Sequence, residues 1–456
     1  MDEPSHENSS LTNRFTTRHG ASSAIRESIQ GDFSPSLYSF DSSKSGINRR
    51  LPYNQLQNPA DFFRIFFDQN LIETIVRQTN MYQSQNSQAS SSHMASWVDV
   101  SVSELYVFLA MTILMSQVKK HRIREYWSTD PLIETPIFGT IYARDRYDSL
   151  LRYLHFVDNE KVSSSDRLSK FGLVLDDLKK KFSNVMYPYQ NLVIDESLML
   201  WKGRLGFKQY IPSKRSRFGI KLYMLCDCHT GFILDFLVYT GLSTSVVRDN
   251  TLGVSGAIVM KMIEKYLYRG HNLFVDNWYS SPALFEILHQ KKTGACGNVK
   301  VNRRGLPNFQ AFDLNENEQV CFHTDILLAL KWKDKRDVHM ISTIHGTEIT
   351  ATKKTHYRTG RRISKPVSVQ DYNENRGLVD KSDMQISFSE YLRKSLKWYK
   401  KLFFHFLDIS LYNACVLYKL NTGEKNGPFR FSTERCSGTY RRIRRSKAGQ
   451  SRQTIN

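Results

Sequence analysis

The chain has 456 residues, 40 % of them hydrophobic and 12 % aromatic, enough for two or three domains around a sizeable core and too apolar for global disorder. Its 64 lysines and arginines outnumber 44 acids and leave a net charge of +20, which favours polyanionic partners, nucleic acid first. The longest apolar stretch, 105–115, is too short to span a bilayer and no membrane association is expected. No secretory signal opens the chain, and six cysteines in so long a sequence are not a disulfide scaffold, so a reducing compartment is expected.

Residues 1–50 are rich in Ser, Thr and Asn without aliphatic periodicity, the composition of a disordered arm. From 58 onward Phe62, Phe63, Ile65, Phe66, Leu71, Ile72, Ile75 and Val76 fit amphipathic helix, and 83–96 is a polar low-complexity loop. Ser101 and Glu104 read as a capping box. The helix they open carries Leu105, Phe108, Leu109 and Ile113, with Val107, Met111 and Leu114 on other sides, so it should be buried all round. Further helical patterns cover 143–156 and 173–185, which makes 51–190 mainly helical.

At Asn191 the period switches. Residues 191–200, 218–226 and 232–240 read as strands, then helix at 258–268, strand at 272–275, helix at 281–289 and strand at 293–298. A meander followed by alternating helix and strand predicts an α/β chain whose catalytic core, 191–299, is ribonuclease-H-like. Residues 300–370 read as a β-rich insertion, with candidate strands at 327–332, 338–342 and 348–351. Helix returns at 371–390, the last helix of the core, and 391–425 is a second helical part with an amphipathic stretch over 398–420. A basic tail, 426–456, ends the chain.

Two buried-strand patterns each deliver an acid: Leu192, Val193 and Ile194 before Asp195, and Leu273, Phe274 and Val275 before Asp276. Asp380 begins or sits within a later helix, with Asp383 one turn on along the same face. Metal-assisted phosphoryl chemistry needs such a set, because two hard cations about 3.5–4 Å apart serve the attacking and leaving oxygens. Two bare carboxylates at about 4 Å repel by about 4 kcal/mol at an effective dielectric of 20. A cluster therefore implies magnesium or manganese, or a carboxyl kept protonated. The plainer alternative makes each aspartate a strand-end or helix-cap residue.

Basic residues follow each acid: Lys208, Lys214, Arg215 and Arg217 after the first, Lys300, Arg303 and Arg304 after the second, and Lys397, Lys400 and Lys401 around Trp398 and Tyr399 after the third. Aromatics among cations stack on unpaired bases while the cations meet phosphates, although a solvated face has the same composition. Cys226, Cys228 and His229 resemble half a zinc site without its second pair, and read better as a core thiol and a turn; Cys321 with His323 is a weaker signal. His121, His155 and His405 fall in helical patterns as packed residues, and no phosphate-cradling glycine loop or nucleophile elbow implies ATP or acyl chemistry.

The chain resembles the piggyBac transposases and the domesticated genes derived from them from about Pro59 to Lys419. The likeness rests on WVDVSVSEL at 97–105, EYW at 125–127, the run 147–156 closing on Leu154, His155 and Phe156, IDES at 194–197, KQYIPSK at 208–214, DNWY at 276–279 and YN at 372–373. The resemblance implies that Asp195, Asp276 and Asp380 are three catalytic, metal-binding aspartates, with Asp383 a further acid. It also implies that Lys300 and Arg303 handle target DNA, and that Trp398 lies near the active site. The family cuts and pastes: a nick frees a 3′-hydroxyl, which attacks the opposite strand to give a hairpin over a TTAA overhang. After the hairpin is opened, the ends join a new TTAA site. A homodimer on double-stranded DNA in the nucleus is expected, with the helical parts 51–190 and 391–425 forming a dimerisation and DNA-binding domain. Two departures stand out. Only Cys415 and Cys436 follow Asp383, too few for the cysteine-rich zinc domain that closes many members, and Leu378 replaces a usual glycine two residues before Asp380. Three outcomes follow: a DNA transposase, a domesticated DNA-binding protein without strand transfer, or a chromatin adaptor.

Overall fold

The computed structural model describes residues 33–49, 55–86, 97–162, 166–212, 214, 216–244, 246, 251–355, 360, 362–389 and 397–424. Its elements in order are β1 (Gly46–Ile47), α1 (Pro59–Arg64), α2 (Gln69–Gln85), α3 (Val102–Gln117), α4 (Ile137–Ile141), α5 (Arg144–Tyr153), α6 (Gly172–Val185) and β2 (Met186–Tyr187). Then come β3 (Asn191–Leu200), β4 (Gln209–Tyr210), β5 (Phe218–Asp227), β6 (Ile233–Val238), α7 (Gly253–Ile263), β7 (Asn272–Val275), α8 (Pro282–Gln290) and β8 (Gly294–Asn298). The last third holds β9 (Gln319–His323), β10 (Leu328–Lys333), β11 (Asp337–Ser342), β12 (Ile349–Thr355), β13 (Arg362–Pro366), α9 (Val367–Asn375), α10 (Leu378–Ser389) and α11 (Trp398–Thr422).

A mixed sheet of nine strands organises the molecule, in the order β4-β5-β3-β7-β8-β11-β10-β9, with β6 also on β5. Only β3, β7 and β8 run parallel to one another; every other pair in it is antiparallel. The parallel strands are apolar on both faces because helices pack against them: α8 on β8, α9 and α10 on β3. Gly297 is required where β8 runs beside β7, since a Cβ there would come within 2.4 Å of the Val275 carbonyl and the Ser280 hydroxyl.

Several expectations are revised. Residues 33–49, expected in a disordered arm, are packed: β1 pairs with β2, Phe33 is buried against His323, the Tyr38 hydroxyl lies 2.6 Å from His289 Nδ1, and Phe40 meets His271. Isolated aromatics hold this strap, and aromatics without a period leave no helix or strand signature. Residues 1–32 and 425–456 lie outside the described residues. The stretch 300–370 is β-rich, but β9, β10 and β11 extend the central sheet through the β11–β8 pairing, and only β12–β13 form a separate ribbon. Helix α11 is buried on every side from Tyr399 to Tyr418 rather than amphipathic. Phe62, Phe67, Phe156 and Phe171 surround it from the N-terminal helical region and Phe236 from the sheet. Asn413 on α11 closes the free edge of β6, its amide bonding both the N–H and the carbonyl of Ile233 at 2.9 Å. The Ser101 hydroxyl caps α3, but Glu104 turns away to Arg146 and Tyr142 instead of completing the box. His155 and His405 are buried as expected, whereas His121 is exposed.

Candidate active site

Strand register brings the first two acids together. Ile194 on β3 is level with Val275 on the parallel β7, so the next residues, Asp195 within β3 and Asp276 just past the end of β7, stand side by side. Asp195 Oδ1 accepts the Glu196 N–H at 2.8 Å, and Asp276 Oδ1 accepts the Trp278 N–H at 2.9 Å. Burial pushes the Asp195 carboxyl up to about 7; Lys214 and the Glu196 amide pull it back, while the charges of Asp276 and Glu196 push it further. Asp276 is raised as well, by burial first and then by Glu196, against the pull of the Trp278 amide.

Helix α10 crosses β3 and β5 and carries the other two acids. Asp383 accepts the Ser197 hydroxyl at 2.7 Å, fixing the helix to the strand two residues beyond Asp195. Asp380 is 65 % exposed and its Oδ1 lies 3.0 Å from Lys214 Nζ. Lys214 also donates to the Glu196 carbonyl at 2.9 Å. Burial lowers the Lys214 pKa, but Asp195, Asp380 and Glu196 outweigh it and leave it raised. The lysine therefore stands as the internal counter-charge of the acids.

The Asp195–Asp276 pair suits a hard divalent cation: its donors are all oxygen, burial and the neighbouring acids raise both carboxyls, and the buried Tyr279 hydroxyl near the same charges has no hydrogen-bond partner among the described residues. Asp380 does not complete a trio, and among the described residues no group of three or more His, Cys, Asp or Glu side chains is arranged to hold a metal. Cys226 is a buried core thiol, and the half-buried Cys228 turns its sulfur toward the Asn375 carbonyl at 3.9 Å.

The predicted basic residues separate into different roles. Lys208 and Arg217 line a groove with Lys202 and Phe218, and Lys300 and Arg304 are exposed, whereas Arg215 lies outside the described residues. Arg303 is a brace: its guanidinium donates to the carbonyls of Asn277 at 3.2 Å and Trp278 at 2.5 Å, directly after Asp276. Trp398 packs edge-on against Phe207, with ring centres 5.5 Å apart. Sequence reasoning missed Glu196, Lys221 and Tyr279. Lys221 lies 3.6 Å from Glu196 and sits over the stacked rings of Tyr223 and Trp278, at 4.7 and 4.8 Å. The available signal was strand alternation, which sends Glu196 to the face opposite Asp195.

Comparison with known proteins places this geometry. Residues 58–415 match the family described as Transposase IS4. The human PiggyBac transposable element-derived protein 2 is 26 % identical over 382 residues, covering 80 % of this chain and 62 % of the relative. The human PiggyBac transposable element-derived protein 3 is 24 % identical over 378 residues, with the same coverage, so the chain spans about 62 % of the length of both. The fold matches a cryo-EM structure of the piggyBac transposase synaptic complex with hairpin DNA, at a TM-score of 0.74 and 24 % identity, over 88 % of this chain and 84 % of that one. Among the described residues no helix is long and apolar enough to cross a membrane. With a match running through most of its length, from α1 into α11, the chain belongs to the Transposase IS4 family, in its piggyBac group.

Proposed function

We propose that the chain is a piggyBac-type DNA transposase acting through Asp195, Asp276 and Asp380 on a ribonuclease-H-like core. The observation that carries this reading is the register of β3 against β7, which sets two raised carboxyls side by side beneath an acid-bearing helix. The strand order β6-β5-β3-β7-β8, with three antiparallel strands followed by two parallel additions, supports the core assignment. Asp195 and Asp276 would hold magnesium or manganese, which would supply positive charge where phosphoryl transfer builds negative charge on oxygen. Asp383 anchors α10, Arg303 holds the loop after Asp276, and Lys214 balances the acids until Asp380 turns inward and the lysine is free for a DNA phosphate. The substrate is double-stranded DNA, cut at element ends and joined at TTAA, by a homodimer in the nucleus; the helices before β3 together with α11 make the dimerisation and DNA-binding part.

The test is nicking and excision of a TTAA-flanked element by the full chain, with magnesium or manganese, beside Asp195→Asn. We expect a metal-dependent product in wild type and a loss of about a hundredfold or more in the variant. Equal activity in both would overturn the site. A second reading is favoured by the Lys214–Asp380 ion pair: a DNA-binding protein that keeps the acids but no longer assembles them. Tight DNA binding with no product under either metal would select it.

A further inference from the structure

Beyond the carboxyls, at the far end of β3, two exposed aromatic rings stand together where a surface protein usually keeps polar groups. Tyr210 on β4 is 55 % exposed and Phe218 on β5 is 45 % exposed; they face each other across the strand pair with ring centres 4.6 Å apart and a 33° tilt. Cross-strand contact explains why they meet, but not why both stay in water. Cations surround them. Lys208 sits 5.7 Å from the Phe218 ring centre, and Lys202 and Arg217 line the same groove, with no acid among its described lining residues. Leu200 and Ser216 line this groove and also the cavity that holds Lys214, Asp380 and Asp383, so the two adjoin.

We propose that the Tyr210–Phe218 pair is a stacking platform for an unpaired base of a DNA strand whose phosphates follow Lys202, Lys208 and Arg217 toward the carboxyl pair. The inference deepens the proposed function, and rests on it for the direction of the strand. Every base offers a π-face, so an aromatic platform flanked by cations takes single-stranded DNA without reading its sequence. The spacing fixes where. Phe218 is level with Trp201, six positions past Asp195, or about 20 Å at roughly 3.4 Å per strand residue. The stacked base then lies about six nucleotides from the scissile phosphate at duplex spacing, and fewer in an extended strand.

The test measures equilibrium binding of the full chain, with a chelator present, to a blunt duplex and to one bearing a single-stranded extension long enough to reach the platform. A single abasic site moved along the extension should weaken wild-type binding about tenfold at one position and little elsewhere. Tyr210→Leu with Phe218→Leu should lose about tenfold on the extended DNA, nothing on the blunt duplex, and the positional dip itself. A flat abasic profile, or an equal loss on both DNAs, overturns the platform. Should the leucine variant fail to fold, the wild-type scan decides alone. Because this binding is read without metal, failure of the separate metal-dependent nicking assay would sink the proposed reaction without touching this result.

Discussion

Asp195 carries a conflict between sequence and surroundings that can be measured without DNA. Its carboxyl is pushed to about 7 by burial, while an unfolded aspartate titrates near 3.8. Between those values the folded protein holds a proton that the unfolded chain has released. The group's contribution to stability is therefore complete below about pH 4 and is lost as pH rises through 7. Asn in its place has no charge to bury. With a chelator present, Asp195→Asn should melt above wild type at pH 8 by roughly 3–5 °C, and should show no such advantage at pH 4. Magnesium should narrow the gap at pH 8, because it stabilises only the chain that can hold it. Thermal melts at the two pH values, with and without metal, check this; a variant melting below wild type at pH 8 would show that Lys214 already satisfies the charge.

At the scale of elements, the site is a meeting of segments held by few bonds. Strand β7 ends one residue before Asp276, and the turn that follows is gripped from outside by Arg303, in the loop after β8. One terminal guanidinium nitrogen of Arg303 donates to both carbonyls, a reach and charge that glutamine does not reproduce. The same residue matches a DNA-handling position in the family likeness, and one experiment separates the two roles. If Arg303 is a brace, Arg303→Gln should slow metal-dependent nicking by about tenfold or more while the salt dependence of DNA binding stays unchanged. If it meets a phosphate, the slope of log affinity against log salt should shrink by about 0.9. Measuring both quantities on one variant decides, and an unchanged nicking rate would dismiss the brace.

For the whole molecule, legibility in the sequence followed the range of the interaction. The runs before Asp195 and Asp276 could be read because a buried apolar run and the acid that follows it are written in consecutive residues. The two acids then meet through regular parallel pairing. The Lys214–Asp380 contact joins positions 166 apart, and nothing local announces it. The strap at 33–49 and the β11–β8 pairing were hidden for the same reason: their partners lie far along the chain. Net charge is the one long-range property that the sequence reveals directly, and +20 makes a quantitative demand. If Lys202, Lys208, Arg217, Lys300 and Arg304, with one more cation, each neutralise a phosphate, log affinity for duplex DNA should fall with log salt at a slope near −5. Doubling the salt should then weaken binding by about 40-fold. Lys202→Gln and Lys300→Gln should each reduce the slope by about 0.9, and together by the sum, because the two sites share no partner. Titrations at several salt concentrations test this. A slope near zero in wild type would mean that the excess charge serves something other than a nucleic-acid backbone, and the platform, the groove and the proposed reaction would all lose their substrate.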